Sequence, residues 1–129
     1  MTTDLEMLAW VTGLTGLMWM PYILARIGAI GLMQTLSYKS DDAPLPDWAN
    51  RARRAHGNAV ENLVLFAALV LVAHLSGAAS EATAAAAVWY FWSRVAHYIV
   101  FVMGIPYART LTFAVSWTAL LCIFYQIVT

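Results

Sequence analysis

Long apolar runs dominate the chain, and short polar or glycine- and proline-containing stretches separate them. A helix needs about 20 apolar residues to cross the hydrocarbon core of a membrane. On this basis we predict transmembrane helices over residues 5–36, 49–75, 82–103 and 107–128, with a polar loop after the first. Short connections make consecutive helices antiparallel neighbours. The pattern therefore predicts an all-α membrane protein, with residues 1–129 forming one antiparallel bundle of four transmembrane helices.

Composition supports a lipid environment and excludes several other classes of protein. The 129 residues are 62% hydrophobic and 11% charged, whereas an ordinary soluble domain has about 25% charged residues. The formal net charge is zero, so no basic surface suggests a nucleic-acid partner. The single Cys122 cannot form an internal disulfide, and the three histidines are not spaced as a close helical pair, so we expect no metal site.

The basic residues predict an orientation in the membrane. All of them lie beside the first polar loop or beside the Gly104–Pro106 turn, on one side of the predicted helices. Cytoplasmic loops carry an excess of lysine and arginine. We therefore expect this loop and this turn in the cytoplasm, and both termini on the non-cytoplasmic side. The basic residues are Arg26, Lys39, Arg51, Arg53, Arg54, Arg94 and Arg109.

A line of polar residues follows one face of the second predicted helix. Arg51, Arg54, Asn58 and Glu61 are spaced three, four and three residues apart, which places them on the same side of a helix. The third predicted helix adds two polar residues at a matching depth, and a further arginine begins the fourth. These residues are Arg94, His97 and Arg109.

Charges at membrane depth require partners or a polar cavity. Each costs at least ~2.5 kcal/mol near a helix centre on insertion scales. Several cations face the single Glu61, so the surplus positive charge indicates an anionic ligand. An alternative is that Arg54 and Glu61 form a buried salt bridge that fixes helix register. For Arg51 and Arg53, contact with lipid headgroups is the better interpretation.

The segment RARRAHGNAVENLVLF, residues 51–66, resembles the signature of the MAPEG family, the membrane-associated proteins of eicosanoid and glutathione metabolism. The motif RVAH at 94–97, then GIP at 104–106 and Arg109, follow at the family's spacing. The resemblance covers essentially the whole chain. The chain is similar to a microsomal-glutathione-transferase-like member of bacterial type, which implies location in a bacterial inner membrane.

The resemblance implies a homotrimer that binds glutathione as co-substrate between adjacent subunits. Arg109 would stabilise the glutathione thiolate as the catalytic residue. The second substrate would be a hydrophobic electrophile or a lipid hydroperoxide dissolved among membrane lipids. The residues expected to bind glutathione are Arg26, Arg54, Asn58, Glu61, Arg94 and His97.

Three positions depart from the prostaglandin-synthase branch of the family. Gly57 stands where that branch has an arginine, Phe101 where it has a tyrosine, and Thr110 where it has a serine. The first two changes remove polar contacts and argue against a specific eicosanoid activity. They leave two functions open, which are broad glutathione transferase or peroxidase activity and a non-enzymatic lipid-binding or scaffolding trimer.

Overall fold

The computed structural model describes residues 1–37 and 44–129, and helices account for most of them. The described part contains no β-strand, so the prediction of an all-helical protein is confirmed there. Part of the predicted polar loop, including Lys39, lies outside the described residues. The helices are α1 (Thr3–Leu17), α2 (Trp19–Ile30), α3 (Leu32–Thr35), α4 (Asp47–Ser76), α5 (Glu81–Met103) and α6 (Pro106–Val128).

The first apolar segment, predicted as residues 5–36, is divided into α1, α2 and α3. The first interruption is at Met18, one turn before Pro21. Proline has no N–H to bond the carbonyl four residues earlier, and its ring crowds that carbonyl. The second interruption is at Gly31, whose φ of 85° lies in the left-handed region that favours glycine.

Capping residues define the ends of the later helices. Gly77 and Gly104 end α4 and α5, both with φ of 78°. Ser80 and Thr83 form a reciprocal capping box at the start of α5, in which each side chain accepts a hydrogen bond from the other's backbone N–H. Pro106 begins α6, where its missing N–H costs nothing. These caps end and begin the helices within a few residues, so the connections between α4, α5 and α6 are short.

The core lies where α1, α4, α5 and α6 meet. Phe66 of α4 stacks on Tyr90 of α5, with ring centres 3.9 Å apart and planes tilted by 11°. Val11 of α1 and Ile123 of α6 complete the same buried cluster. Dense packing of this kind leaves little freedom for the helices to shift. Apolar packing in the core therefore fixes the relative positions of α4, α5 and α6, and the polar side chains on these helices are positioned by it.

Three helical segments of the described chain are long and apolar enough to cross a membrane. They are Thr3–Ile30, Asp47–Ser76 and Pro106–Val128. α5 has a comparable length but carries Arg94 and His97 in its course and is not among the three. Many large apolar side chains point away from the core, including Leu75 and Leu111. An outer surface of this kind suits contact with lipid chains.

Candidate functional site

A cavity of about 550 Å³ lies between α4, α5 and α6, beside the α5–α6 turn. This volume is within the range of small-molecule sites, which is about 300–1,000 Å³. Charged and amide groups come from α4 and the start of α6, and aromatic rings come from α5 and α6. The lining residues are Arg54, Gly57, Asn58, Glu61, His97, Phe101, Arg109, Thr110 and Phe113.

The α4 side of the cavity carries the polar line predicted from residue spacing. Arg54 and Glu61 are both exposed on the isolated chain, and Asn58 between them is half-buried. No ion pair joins Arg54 to Glu61 in the described structure. Seven residues separate them, which is about 10 Å along a helix. The direct salt bridge considered above is therefore not formed, and both charges face the cavity without neutralising each other.

Arg94 lies behind the cavity wall and not in it. Its side chain is 2% exposed. The Nη2 group donates a hydrogen bond of 2.6 Å to Oδ1 of Asn58, and Nη1 donates one of 3.4 Å to Oγ of Ser116. Nε is buried and has no hydrogen-bond partner. Arg94 thus ties α4 to α6 through a side chain that belongs to α5.

These contacts fix the orientation of the Asn58 amide. Because arginine can only donate, the Asn58 atom facing Arg94 must be the oxygen. That oxygen also accepts from Nδ2 of Asn62 at 3.3 Å, while the same Nδ2 donates to the Asn58 backbone carbonyl at 2.8 Å. The amide nitrogen of Asn58 is left to donate to a group in the cavity.

Phe101 forms the centre of the aromatic side of the cavity. The Cζ atom of Arg54 is 5.7 Å from the ring centre, and that of Arg109 is 5.1 Å from it. His97 meets the ring edge-on, with centres 5.5 Å apart. The ring of Phe113 lies 6.4 Å from that of His97. The aromatic groups and both arginines therefore form one connected cluster.

Comparison with known families connects this geometry to a class of proteins. The model of the MAPEG family matches residues 7–129, nearly the whole chain. The chain belongs to the MAPEG family. A search of curated proteins found no match. Family membership together with the apolar helices identifies an integral membrane protein, and the predicted resemblance of the chain to this family is confirmed.

The site residues predicted from the MAPEG resemblance do not all line the cavity. The cavity brings together five of them, which are Arg54, Asn58, Glu61, His97 and Arg109. Arg94 contacts the cavity only through Asn58. Arg26 of α2 is 6% exposed and does not line the cavity as the described residues form it. Its Nε and Nη2 atoms are buried without hydrogen-bond partners.

Two residues of the MAPEG motif region hold helices together. Nδ1 of His56 shares a hydrogen bond of 2.9 Å with the Tyr22 hydroxyl, which joins α4 to α2. Arg51 donates from Nε to the Val102 carbonyl at 2.8 Å. This bond satisfies a carbonyl in the last turn of α5. Arg51 is thereby anchored at the α5–α6 turn, although the sequence favoured lipid headgroups as its partners.

Phe113 lines the cavity and Ser116 bonds Arg94 behind its wall, and the MAPEG motif indicated neither residue. Phe113 is four residues after Arg109, and Ser116 is seven residues after it. These spacings place all three on one face of α6. Helical periodicity counted from Arg109 could therefore have predicted that Phe113 and Ser116 face the same side. The described residues contain no group of three His, Cys, Asp or Glu side chains placed to hold a metal ion.

Proposed function

We propose that this MAPEG protein is a glutathione-dependent membrane transferase with peroxidase capacity that acts on hydrophobic electrophiles. The observation that carries the proposal is one cavity holding two arginines, a carboxylate and an oriented amide. No described acid pairs with either arginine. A ligand that brings its own negative charges would therefore complete the site.

Glutathione has the charge pattern that this cavity complements. It has two carboxylates, one ammonium group and a thiol, and the arginine side chains suit carboxylates through charge-assisted hydrogen bonds. In the proposed complex Glu61 accepts from the ammonium group, Arg54 binds a carboxylate, and the Asn58 amide donates to a peptide or carboxylate oxygen. Arg94 and His97 support this arrangement from α5. Arg26, with its unpaired buried nitrogens, is the proposed partner of the remaining carboxylate.

Arg109 is the proposed catalytic residue. A thiol reacts as its thiolate, and a guanidinium group keeps its proton in proteins. Arg109 therefore acts by stabilising S⁻ and not as a base. In transfer, the thiolate forms a C–S bond with the electrophilic carbon as the leaving group departs with its electron pair. In peroxide reduction, the thiolate forms an S–O bond with the terminal hydroperoxide oxygen as the O–O bond breaks, which gives a sulfenic acid and an alkoxide. The alkoxide takes a proton from water to become the alcohol, and a second glutathione converts the sulfenic acid to disulfide and water.

The exposed charges on α4 support the proposal of a homotrimer. Val60 and Val64 are exposed on the same helix as Arg54 and Glu61. A charged residue facing lipid is costly, so a neighbouring subunit that covers this face would remove the cost. The proposed glutathione site therefore lies at a boundary between subunits.

The proposed topology has four spans, with α5 as the third. Its 23 residues rise about 34 Å, enough to cross a hydrocarbon core of about 30 Å. Arg94 and His97 lower its hydropathy, but both are buried inside the protein. Both termini would face away from the cytoplasm of a bacterial cell, and the protein would lie in the inner membrane.

Thermal stability in detergent tests the proposal. Glutathione that binds only the folded protein raises Tm with concentration. We expect Arg54→Ala and Glu61→Ala to abolish this shift. Conjugation of chlorodinitrobenzene should be lost in Arg109→Ala. A wild-type protein with no glutathione-dependent shift, and no turnover of any electrophile or hydroperoxide tried, would contradict the proposal.

A second cavity favours the alternative of a non-enzymatic lipid-binding or scaffolding trimer. It measures about 560 Å³ and lies between α5 and α6, where its wall is almost wholly apolar. Trp89 and Cys122 are among its lining residues, which include no residue of the first cavity. This function predicts that fatty acids or lipids raise Tm and that glutathione does not.

A further inference from the structure

Phe101 lies on α5 one turn beyond His97, in the wall of the first cavity. Its side chain is 7% exposed. The prostaglandin-synthase branch has a tyrosine at this position, so Phe101 lacks the hydroxyl group found there. The contacts of the ring indicate a role that needs no hydroxyl.

The ring lies beneath two cations that come from different helices. Arg54 belongs to α4 and Arg109 to α6, and their Cζ atoms are 5.7 Å and 5.1 Å from the ring centre. The negative face of an aromatic ring attracts a guanidinium group within about 6 Å. Two guanidinium groups near one ring repel each other, and the attraction of each group to the ring opposes that repulsion.

Neither arginine has another anchor in the described structure. Arg54 is exposed and Arg109 is half-buried, and neither guanidinium group has a hydrogen bond or an ion pair among the described residues. Arginine side chains have many rotamers to lose. Without the ring, the Arg54 side chain could extend along the surface towards water or headgroups. The contact with Phe101 therefore favours the position of each arginine side chain at the cavity over its other rotamers.

The ring itself is held in place. His97 packs against it edge-on, at an interplanar angle of 76°, and the burial of Phe101 restricts its rotation. A fixed ring is a better platform for cations than a mobile one, because less freedom is lost when each cation settles.

We propose that Phe101 is a positioning residue that holds the guanidinium groups of Arg54 and Arg109 as a pair over the cavity. The pair would meet a thiol that carries a carboxylate, with one cation for each anionic group. This inference rests on the proposed glutathione function for its substrate class. The placement of the two arginines by the ring can be measured without any substrate.

The experiment uses the full chain in detergent, labelled with ¹⁵N-arginine. Signals of the Nε–H groups are assigned with Arg54→Lys and Arg109→Lys, and an N–H above an aromatic ring shifts upfield. We expect both signals to lose this shift in Phe101→Leu and to keep it in Phe101→Tyr. Glutathione affinity should fall roughly threefold to thirtyfold in Phe101→Leu, the range of one cation–π contact, and stay close to wild type in Phe101→Tyr.

Phe113→Leu is the matched control. Phe113 lines the same cavity, and no guanidinium lies over its ring in the described part of the chain. This variant should leave both arginine signals in place. Equal losses of shift in Phe101→Leu and Phe113→Leu, or no loss in Phe101→Leu, would overturn the positioning role.

The two proposals fail in different ways. A wild-type protein with ring-shifted arginine signals and no affinity for glutathione would contradict the proposed function and leave the positioning role intact. A wild-type protein that binds glutathione but has unshifted arginine signals would contradict the positioning role alone.

Discussion

Arg94 of α5 and Asn58 of α4 are joined by a hydrogen bond of 2.6 Å from Nη2 to Oδ1. The bond requires the amide oxygen of Asn58 to face Arg94, because a guanidinium group accepts nothing, and it leaves the amide nitrogen of this cavity-lining residue to donate elsewhere. It also places a cation behind the wall of the site. No carboxylate among the described residues pairs with this cation, so its burial is poorly compensated within the chain.

Replacement of Arg94 by methionine should separate ligand binding from stability. A buried charge without a partner is costly, and an apolar side chain of similar length is often neutral or stabilising in its place. We expect Tm of Arg94→Met without ligand to equal or exceed that of wild type. Glutathione affinity should fall about tenfold, because a charge-assisted hydrogen bond that orients Asn58 contributes on the order of 1.5 kcal/mol.

Ser116→Ala serves as the control for Arg94→Met. It removes the longer bond of 3.4 Å from Arg94 and the 2.8 Å bond from the Ser116 hydroxyl to the Phe113 carbonyl within α6, and it should change glutathione affinity little. Tm without ligand and glutathione affinity are both obtained from one series of melting curves with increasing glutathione. A sharp fall in Tm of Arg94→Met, with affinity unchanged, would mean that Arg94 serves folding and not the site.

Glu61→Gln tests the proposed contact with the ammonium group. Glu61 is exposed on the isolated chain and has no ion pair among the described residues, so its neutralisation should leave Tm without ligand nearly unchanged. Loss of a charged acceptor should lower glutathione affinity roughly tenfold or more. Glu81→Gln, at an exposed site in the first turn of α5, should have no effect on affinity. Equal affinities for Glu61→Gln and wild type would remove Glu61 from the site.

Gly104→Ala tests the anchoring of the α5–α6 turn by Arg51. Gly104 has φ of 78°, and a Cβ atom there would lie 3.2 Å from Nε of Arg51. The left-handed conformation alone costs a residue with a Cβ about 1–2 kcal/mol, and the crowded contact adds to this. The substitution should therefore lower Tm and weaken the hydrogen bond from Arg51 to Val102.

Gly77→Ala is a close control, since Gly77 has the same φ of 78° and no atom within 4 Å of a built Cβ. Its loss of Tm should reflect the backbone alone and be smaller than that of Gly104→Ala. Shortening Arg51 to alanine should reduce the extra loss in Gly104→Ala. If both glycine variants lose the same stability, the Arg51 contact contributes nothing to the turn.

The sequence alone predicted the features that depend on the spacing of residues along a single helix. Apolar runs predicted the helical segments, and the intervals between Arg54, Asn58 and Glu61 placed them on one face of α4, because a helix repeats every 3.6 residues. The motif over residues 51–66 indicated the family. Gly104 marked the end of a helix, since few other residues adopt its backbone conformation.

The tertiary structure decided what depends on distances between helices. Arg94 is 36 residues from Asn58, and no periodicity within α5 shows that it lies behind the cavity while His97, one turn later, lines it. Phe101 suggested a lost hydroxyl by sequence, and only the packing of α4 and α6 against α5 places two cations over its ring. Local spacing determines which face of a helix a residue occupies. Which partner that face meets is set by the packing of the core around Phe66 and Tyr90.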